Sequence, residues 1–442
     1  MKKYLLLITL LLLTACQEIS DNRPLLSNSK KKQPVIIVNP NRHLNIAEFW
    51  IDQLDKPNEI IMKAEDISQL NDDTAHKKST LTYFKDINKV YTSQWIKNKL
   101  IGNFNGLKSR VSYFSDNKKI SRNFYKAIKE EMNLKGLYTR NQKTRYAITV
   151  NYSNQRIIPT EQSLLKKKNQ IYFDRNQNSA LDIATPVAIL HSTIDGSWHY
   201  GIGPTSSGWL RDRDIVFGKK KEISKYLNSK KFIVTVSSKN PLLIKGKYHD
   251  YLRMGVKLPY VMQIDDMTMV KIPTRDENGE LSFAKATIKT IHTHKGYLPY
   301  TQKNILTQAF KFLHAPYGWG GMYGEQDCSK FLQEIYATTG VRLPRNSASQ
   351  SKMGKAKIEL NFLSKESKAQ KVHNLATAGV SIFHLKGHIV LYLGEYKGEP
   401  FIIHTVWGSS SRHFALGRTA VTSLNFNGYL GKIDRITDVL MP

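Results

Sequence analysis

Cysteine is almost absent from this sequence of 442 residues, which contains only Cys16 and Cys328. Structural zinc sites usually take closely spaced pairs of ligands, whereas Cys328 has no second cysteine near it in the chain. The cysteine pattern therefore argues against a zinc site. We expect no metal ion and no other cofactor.

Acidic residues are also few, because 36 Asp and Glu stand against 66 Lys and Arg, for a formal net charge of +30. Such a charge raises the question of a nucleic-acid partner. The sequence has no basic helix or stacking motif typical of nucleic-acid readers, and its lysines are spread along the whole chain. We therefore expect no nucleic-acid partner. The basic residues form either a solvated surface or one attracted to anionic polymer or lipid.

Long apolar runs are missing as well, except near the N-terminus, where Tyr4 to Leu13 follows two lysines. A run of about ten residues is too short to cross a bilayer as a helix but is typical of a signal peptide. The next residues, Leu13-Thr14-Ala15-Cys16, resemble the bacterial lipobox, in which cleavage leaves the cysteine as a lipid-carrying N-terminus. We predict a signal peptide over 1–15 and lipidation of Cys16. An ordinary signal peptide with a chance cysteine is the alternative.

The predicted lipid would attach an exported protein to a membrane, with the polar residues of 16–35 as its tether. In a cell with two membranes, Gln17 after the cysteine resembles lipoproteins sorted to the outer one, which predicts the periplasmic face of the outer membrane. A lipidated Cys16 cannot form a disulfide. Cys328 is therefore a lone thiol in a compartment that favours disulfides.

The chain is long enough for about three or four compact units. Apolar residues at helical spacing, such as Phe49, Trp50 and Leu54, predict a mostly helical stabilising domain over 36–164.

From residue 165 onward, short apolar runs alternate with turns and predict strands. Ile171-Tyr172-Phe173 is one such run, and Gly208-Trp209-Leu210 is another. Their order resembles a small bacterial SH3-like barrel, which we place over 165–220. A second strand-rich stretch over 221–298 resembles a second barrel of this kind.

A glycine-rich loop leads into Asp327 and Cys328, after which Phe331 and Ile335 recur at helical spacing. Cys328 is therefore expected at a helix N-terminus, where unpaired N–H groups favour the thiolate over the thiol. Asp327 can cap the first turn. We expect its carboxylate to point toward the helix amides or a substrate cation.

A nucleophilic thiol needs a base within hydrogen-bond reach and a third group that orients the base. His388 begins an apolar strand, and His404 ends the next apolar run, with a turn over residues 395–400 between them. In such a hairpin the two imidazoles can lie side by side. This pattern predicts His388 as the base and His404 as its orienting partner.

Several motifs together resemble the NlpC/p60 family of cell-wall cysteine peptidases, over about residues 299–442. They are Pro316-Tyr317-Gly318-Trp319-Gly320-Gly321, Asp327-Cys328-Ser329, Leu343-Pro344-Arg345-Asn346-Ser347 with Gln350, Gly387-His388, and His404. The resemblance implies a papain-like α+β fold with a triad of Cys328, His388 and His404. The domains upstream are similar to the multidomain branch that cleaves between γ-D-glutamate and a diamino acid.

The resemblance also implies roles in substrate binding. Tyr317 matches a tyrosine that faces the nucleophile and helps to hold the oxyanion. Four residues match positions that grip the amino end of a free stem peptide, namely Asp327, Ser329, Arg345 and Ser347. Lys330 departs from the family, because many members have glycine at this position.

These motifs predict a monomeric enzyme that acts on peptidoglycan or muropeptides. Spacing alone leaves other functions open. An N-acetylmuramoyl-L-alanine amidase uses similar residues, and a transferase would resolve the thioester with an amine. A catalytically weak module that only binds the wall is a third alternative.

Overall fold

The computed structural model of the protein describes residues 42–354, 357–409 and 414–440. The predicted signal peptide, the tether and the lipidation site Cys16 lie outside these ranges. Among the described residues, no helix combines the length and the apolar character needed to cross a membrane.

The N-terminal region is mostly helical, as its apolar spacing predicted. Its elements are α1 (Ala47–Ile51), α2 (Ala64–His76), β1 (Val90–Thr92), α3 (Ser93–Lys108), β2 (Tyr113–Phe114), α4 (Arg122–Glu131) and β3 (Asn141–Lys143). The hydroxyls of Thr92 and Ser121 accept hydrogen bonds from the first turns of α3 and α4, which fixes where these helices begin.

A first seven-stranded antiparallel sheet follows. Its region contains β4 (Arg145–Thr149), β5 (Ser153–Arg156), β6 (Leu164–Leu165), β7 (Gln177–Leu181), β8 (Pro186–Ser192), β9 (Trp198–Ile202), β10 (Ser207–Arg211) and β11 (Ile215–Phe217). The strand order is β11-β4-β8-β9-β10-β5-β7, while β6 pairs with β2. The sheet thus includes two strands that precede the predicted boundary at residue 165. Residues 171–173, predicted as a strand, lie in a loop instead.

A second seven-stranded sheet packs against the first. Its elements are α5 (Lys220–Leu227), β12 (Phe232–Thr235), β13 (Lys239–Ile244), β14 (Lys247–Arg253), β15 (Lys257–Ile264), β16 (Met267–Arg275), β17 (Leu281–Lys289) and β18 (Thr293–Lys295), in the order β14-β13-β17-β16-β15-β12-β18. Ile148 and Val216 of the first sheet share one hydrophobic cluster with Leu258 and Ile272 of the second. The two sheets therefore bury apolar surface against each other.

The C-terminal region has helices on a six-stranded sheet. Its elements are α6 (Gln302–Phe310), α7 (Cys328–Ala337), α8 (Ser347–Gln350), β19 (Lys357–Glu359), α9 (Lys365–Leu375), β20 (Ser381–Leu385), β21 (His388–Tyr396), β22 (Glu399–Ser409), β23 (Phe414–Ser423), α10 (Tyr429–Lys432) and β24 (Ile433–Asp438). The strand order is β19-β24-β20-β21-β22-β23. Helix α7 packs on β21 and β22, in agreement with the predicted α+β class.

The N-terminal region does not form a single core. Helices α3 and α4 pack against Trp198 and Trp209 of the first sheet, whereas Leu44, Trp50 and Leu70 belong to the core of the C-terminal region. The Trp50 indole N–H donates to the Leu44 carbonyl at 2.9 Å, and its ring contacts the Phe401 ring of β22. Helix α1 therefore contributes to the same hydrophobic core as α7.

Replacing Trp50 with Ala should destabilise the C-terminal core by about 3 to 5 kcal/mol, because it leaves a large cavity in place of a fully buried ring. Trp95, which is 39% exposed on α3, provides the matched control. Its replacement should change the free energy of unfolding by less than about 1 kcal/mol. Denaturant unfolding of both variants measures the difference. Equal losses would show that α1 is not part of the C-terminal core.

Candidate active site

Cys328 is the first residue of α7, as predicted. Asp327 is the N-cap, and its Oδ1 accepts the Lys330 backbone N–H at 2.9 Å. Phe331 and Ile335 are fully buried in the hydrophobic core against which Cys328 also packs. Because the cap and the buried face fix both ends of the first turn, the thiol is held in one place while it keeps partial access to solvent.

The loop before α7 is pressed against the first sheet. Gly320 and Gly321 adopt positive φ angles of 64° and 85°. A side chain on Gly320 would meet Gln177 of β7 at 2.7 Å, so glycine allows the close approach. The Tyr152 hydroxyl donates to the Gly321 carbonyl at 2.7 Å. The first sheet thus supports the loop that precedes the thiol.

A buried ion pair joins Asp327 to Arg345, 18 residues further along. The two guanidinium nitrogens Nη1 and Nη2 donate to the two carboxylate oxygens at 3.2 and 2.7 Å. Nη1 also donates to the Ser329 hydroxyl at 2.9 Å, and Nε donates to Ser179 of β7 at 2.9 Å. Burial alone would raise the pKa of Asp327, but the Arg345 guanidinium outweighs burial, so the net shift is downward.

The structure therefore brings together three of the four residues predicted to grip an amine. The fourth, Ser347, is the first residue of α8 and does not take part in the hydrogen bonds between Asp327, Ser329 and Arg345. The Asp327 carboxylate already accepts hydrogen bonds from Arg345, Ser329 and two backbone amides, including Gly320 N–H at 3.1 Å. This geometry does not support a direct grip of Asp327 on a substrate ammonium.

The two predicted histidines lie side by side on the β21–β22 hairpin. The His388 Nε2 and His404 Nδ1 atoms are 2.8 Å apart, and His404 Nε2 lies 3.1 Å from the Thr422 hydroxyl on β23. With Nε2 engaged, Nδ1 is the His388 nitrogen that is left for the thiol. The backbone amide of Ile389, the next residue, lies close enough to the Cys328 thiol to lower the pKa of that thiol. The start of β21 is thus adjacent to the nucleophile.

The resting thiol and imidazole are both neutral. Burial and the neighbouring Asp327 raise the pKa of Cys328 to about 12, although the Ile389 amide, Arg345 and the Ser329 amide act in the opposite direction. Burial, with a smaller effect of His384, lowers the pKa of His388 to about 4. The helix N-terminus lowers the pKa of the thiol, as expected, but desolvation of the thiol has the larger effect and raises it.

Aromatic side chains from two domains form a wall beside the thiol. Tyr317 lies close enough to Cys328 for the thiol charge to raise the pKa of Tyr317, after the larger effect of burial. Its ring lies 5.9 Å from the Trp407 ring of β22, which in turn lies 4.3 Å from the Tyr172 ring. Phe173 contacts both Tyr317 and Trp407. The loop mistaken for a strand therefore lines the site.

Lys330 has a partner in the first sheet. Its ammonium lies 3.3 Å from Asp182, directly after β7, and 3.6 Å from Glu334. Burial raises the pKa of Glu334, so this acid depends on the neighbouring cation to ionise. Sequence reasoning missed Asp182. The only feature of the sequence that pointed to such an acid was Lys330 itself, at a position where many family members have glycine, because a buried lysine requires an acid nearby.

Within the described ranges, no group of three or more His, Cys, Asp or Glu side chains is arranged to hold a metal ion.

The geometry agrees with comparisons to known proteins. Residues 314–413 match the model of the NlpC/P60 family. This segment is an NlpC/P60 domain. Residues 163–211 match an SH3 domain of the SH3b1 type, within the region of the first sheet. The predicted NlpC/P60 resemblance and the fold class are confirmed.

The chain has low sequence identity to a characterised relative. The gamma-D-glutamyl-L-lysine dipeptidyl-peptidase of Bacillus cereus (strain ATCC 10987 / NRS 248) is 24% identical over 192 residues, which cover 42% of this chain. The match spans only about half of that relative, 54%.

Two solved structures were compared with the chain, and the first resembles it in fold. An NlpC/P60 endopeptidase from Photobacterium damselae subsp. piscicida has a TM-score of 0.71 at 21% identity, covering 88% of this chain and 96% of that one. An NlpC/P60 family protein from Bacillus cereus ATCC 10987 has a TM-score of 0.46 at 20% identity, covering 61% and 83%. The first likeness shows that the fold extends beyond the NlpC/P60 domain.

The neutral state of the thiol predicts how it reacts. The rate of Cys328 alkylation by iodoacetamide should rise about tenfold per pH unit between about pH 6 and 9, because only the thiolate reacts and its pKa lies above this range. Mass spectrometry of the Cys328 peptide measures the rate. In the denatured chain the rate should level off near about pH 8.5 to 9. A flat rate in the folded enzyme would indicate a preformed thiolate–imidazolium pair and contradict the neutral state.

Proposed function

We propose that the chain is a cysteine peptidase that hydrolyses peptidoglycan stem peptides between γ-D-glutamate and a diamino acid. The observation that carries this proposal is the placement of Cys328 at the start of α7, which packs on the two strands that carry the hydrogen-bonded His388 and His404 pair. The NlpC/P60 match supports the reaction class, and the name of the Bacillus cereus relative supports the choice of bond.

In the proposed mechanism the Cys328 thiol attacks the amide carbonyl as His388 Nδ1 accepts its proton. Proton transfer during attack agrees with the raised pKa of the thiol and the lowered pKa of His388, since burial disfavours both charged forms. In this mechanism the Cys328 backbone N–H and the Tyr317 hydroxyl hold the oxyanion. His388 then protonates the leaving amine and activates water, which releases the acyl group from sulfur.

Product masses test both the nucleophile and the bond. Wild-type enzyme with L-Ala-γ-D-Glu-diaminopimelate should release L-Ala-γ-D-Glu, and Cys328→Ala should retain less than about one per cent of the rate, because loss of a nucleophile costs several orders of magnitude. Circular dichroism checks that the variant is folded. Release of an intact peptide from a disaccharide peptide would instead identify an amidase. Substantial activity without the thiol would rule out covalent catalysis by Cys328.

The same digest should include the N-acetylated peptide. The family resemblance implies that Asp327 binds the free amino end of the peptide, whereas in the structure Asp327 is already paired with Arg345. Comparing the two peptides shows whether the free amine matters.

We also propose that the protein is anchored by lipid on Cys16, as the sequence Leu13-Thr14-Ala15-Cys16 suggests. Growth of producing cells with an alkyne fatty acid should label the wild-type chain. Cys16→Ser should abolish the label, while Cys328→Ala should leave it unchanged. A wild-type chain that stays unlabelled and separates with the soluble fraction would refute the anchor.

A further inference from the structure

The second histidine of the pair is enclosed by protein. His404 is fully buried, and the rings of Tyr429 and Phe426 lie 5.7 and 6.2 Å from its imidazole. A buried imidazole must find partners for its ring nitrogens within the protein. His404 finds them in His388 Nε2 on one side and the Thr422 hydroxyl on the other, at 2.8 and 3.1 Å.

The tautomers of the two histidines are linked, because a neutral imidazole has one N–H donor and one acceptor nitrogen. His388 can accept the thiol proton on Nδ1 only if its hydrogen is on Nε2. That hydrogen must then be donated to His404 Nδ1. The hydrogen of His404 is consequently on Nε2, where it needs an acceptor.

We propose that Thr422 is a positioning residue, which accepts a hydrogen bond from His404 Nε2 and thereby keeps His388 Nδ1 free to act as the base. The opposite arrangement is unproductive. If His404 carried its hydrogen on Nδ1 and donated it to His388 Nε2, the His388 hydrogen would be on Nδ1, facing the thiol. This role rests on the proposed function of the same site.

The test compares three variants of the full-length protein. Thr422→Val keeps the shape of the side chain but leaves a buried N–H of His404 without an acceptor, which favours the unproductive tautomer. We expect kcat to fall about 10- to 100-fold while KM stays within about twofold, because a change of tautomer impairs proton transfer and leaves the proposed substrate-binding residues unchanged. Thr422→Ser restores an acceptor and should restore most of kcat.

Thr405 provides a matched control. It follows His404 on β22, so its side chain points to the opposite face, where its hydroxyl lies 2.7 Å from that of Thr419 on β23. Thr405→Val therefore removes a hydrogen bond between the same two strands without touching the histidines. It should lower thermal stability about as much as Thr422→Val but keep kcat within about twofold.

Nitrogen-15 NMR of the histidine rings gives a measurement that does not depend on hydrolysis. The wild type should have the His404 hydrogen on Nε2, and Thr422→Val should move it to Nδ1. The inference is overturned if the wild type has it on Nδ1, if Thr422→Val keeps full kcat, or if the serine variant is as slow as the valine variant. If the wild type cuts no stem peptide, the proposed function fails, and the NMR result still decides the role of Thr422.

Discussion

The buried carboxylate of Asp327 organises the site around it. A charge removed from water must be neutralised and hydrogen-bonded, since an unpaired one costs several kcal/mol. Asp327 meets this requirement by binding the start of α7, the glycine loop and the Arg345 side chain together. Arg345 then extends the network to Ser179 in the first sheet. The position of the thiol thus follows from the need to satisfy one negative charge.

A second set of buried charges ties the catalytic helix to both sheets. Lys330 on α7 reaches Asp182 of the first sheet, and Arg253 of the second sheet lies 3.8 Å from the same carboxylate. Separating the domains would leave buried charges without partners, which is energetically costly. These ion pairs therefore stabilise the contact between the domains. The SH3-type region therefore contributes to the geometry of the catalytic helix as well as to the wall of aromatic residues.

Local patterns in the sequence were sufficient to predict the helix that begins at Cys328 and the hairpin that pairs His388 with His404. Both depend on residues close together in the chain, where apolar periodicity and turn signals are informative. Asp182, Tyr172 and Thr422 were not found, because each reaches the site through long-range packing that leaves no local pattern. The sequence also did not indicate how strongly burial raises the pKa of the Cys328 thiol. A helix terminus can be recognised in sequence, whereas the burial that outweighs its effect depends on the completed fold.

The placement of Trp50 in the C-terminal core has a consequence for how the protein folds. Helix α1 is made early, but the strands it packs on follow only after both seven-stranded sheets in the chain. Contacts of such large sequence separation require closure of a long loop. The β21–β22 hairpin that carries the two histidines packs on the same core as α1. This core can therefore be completed only after both seven-stranded sheets have been synthesised.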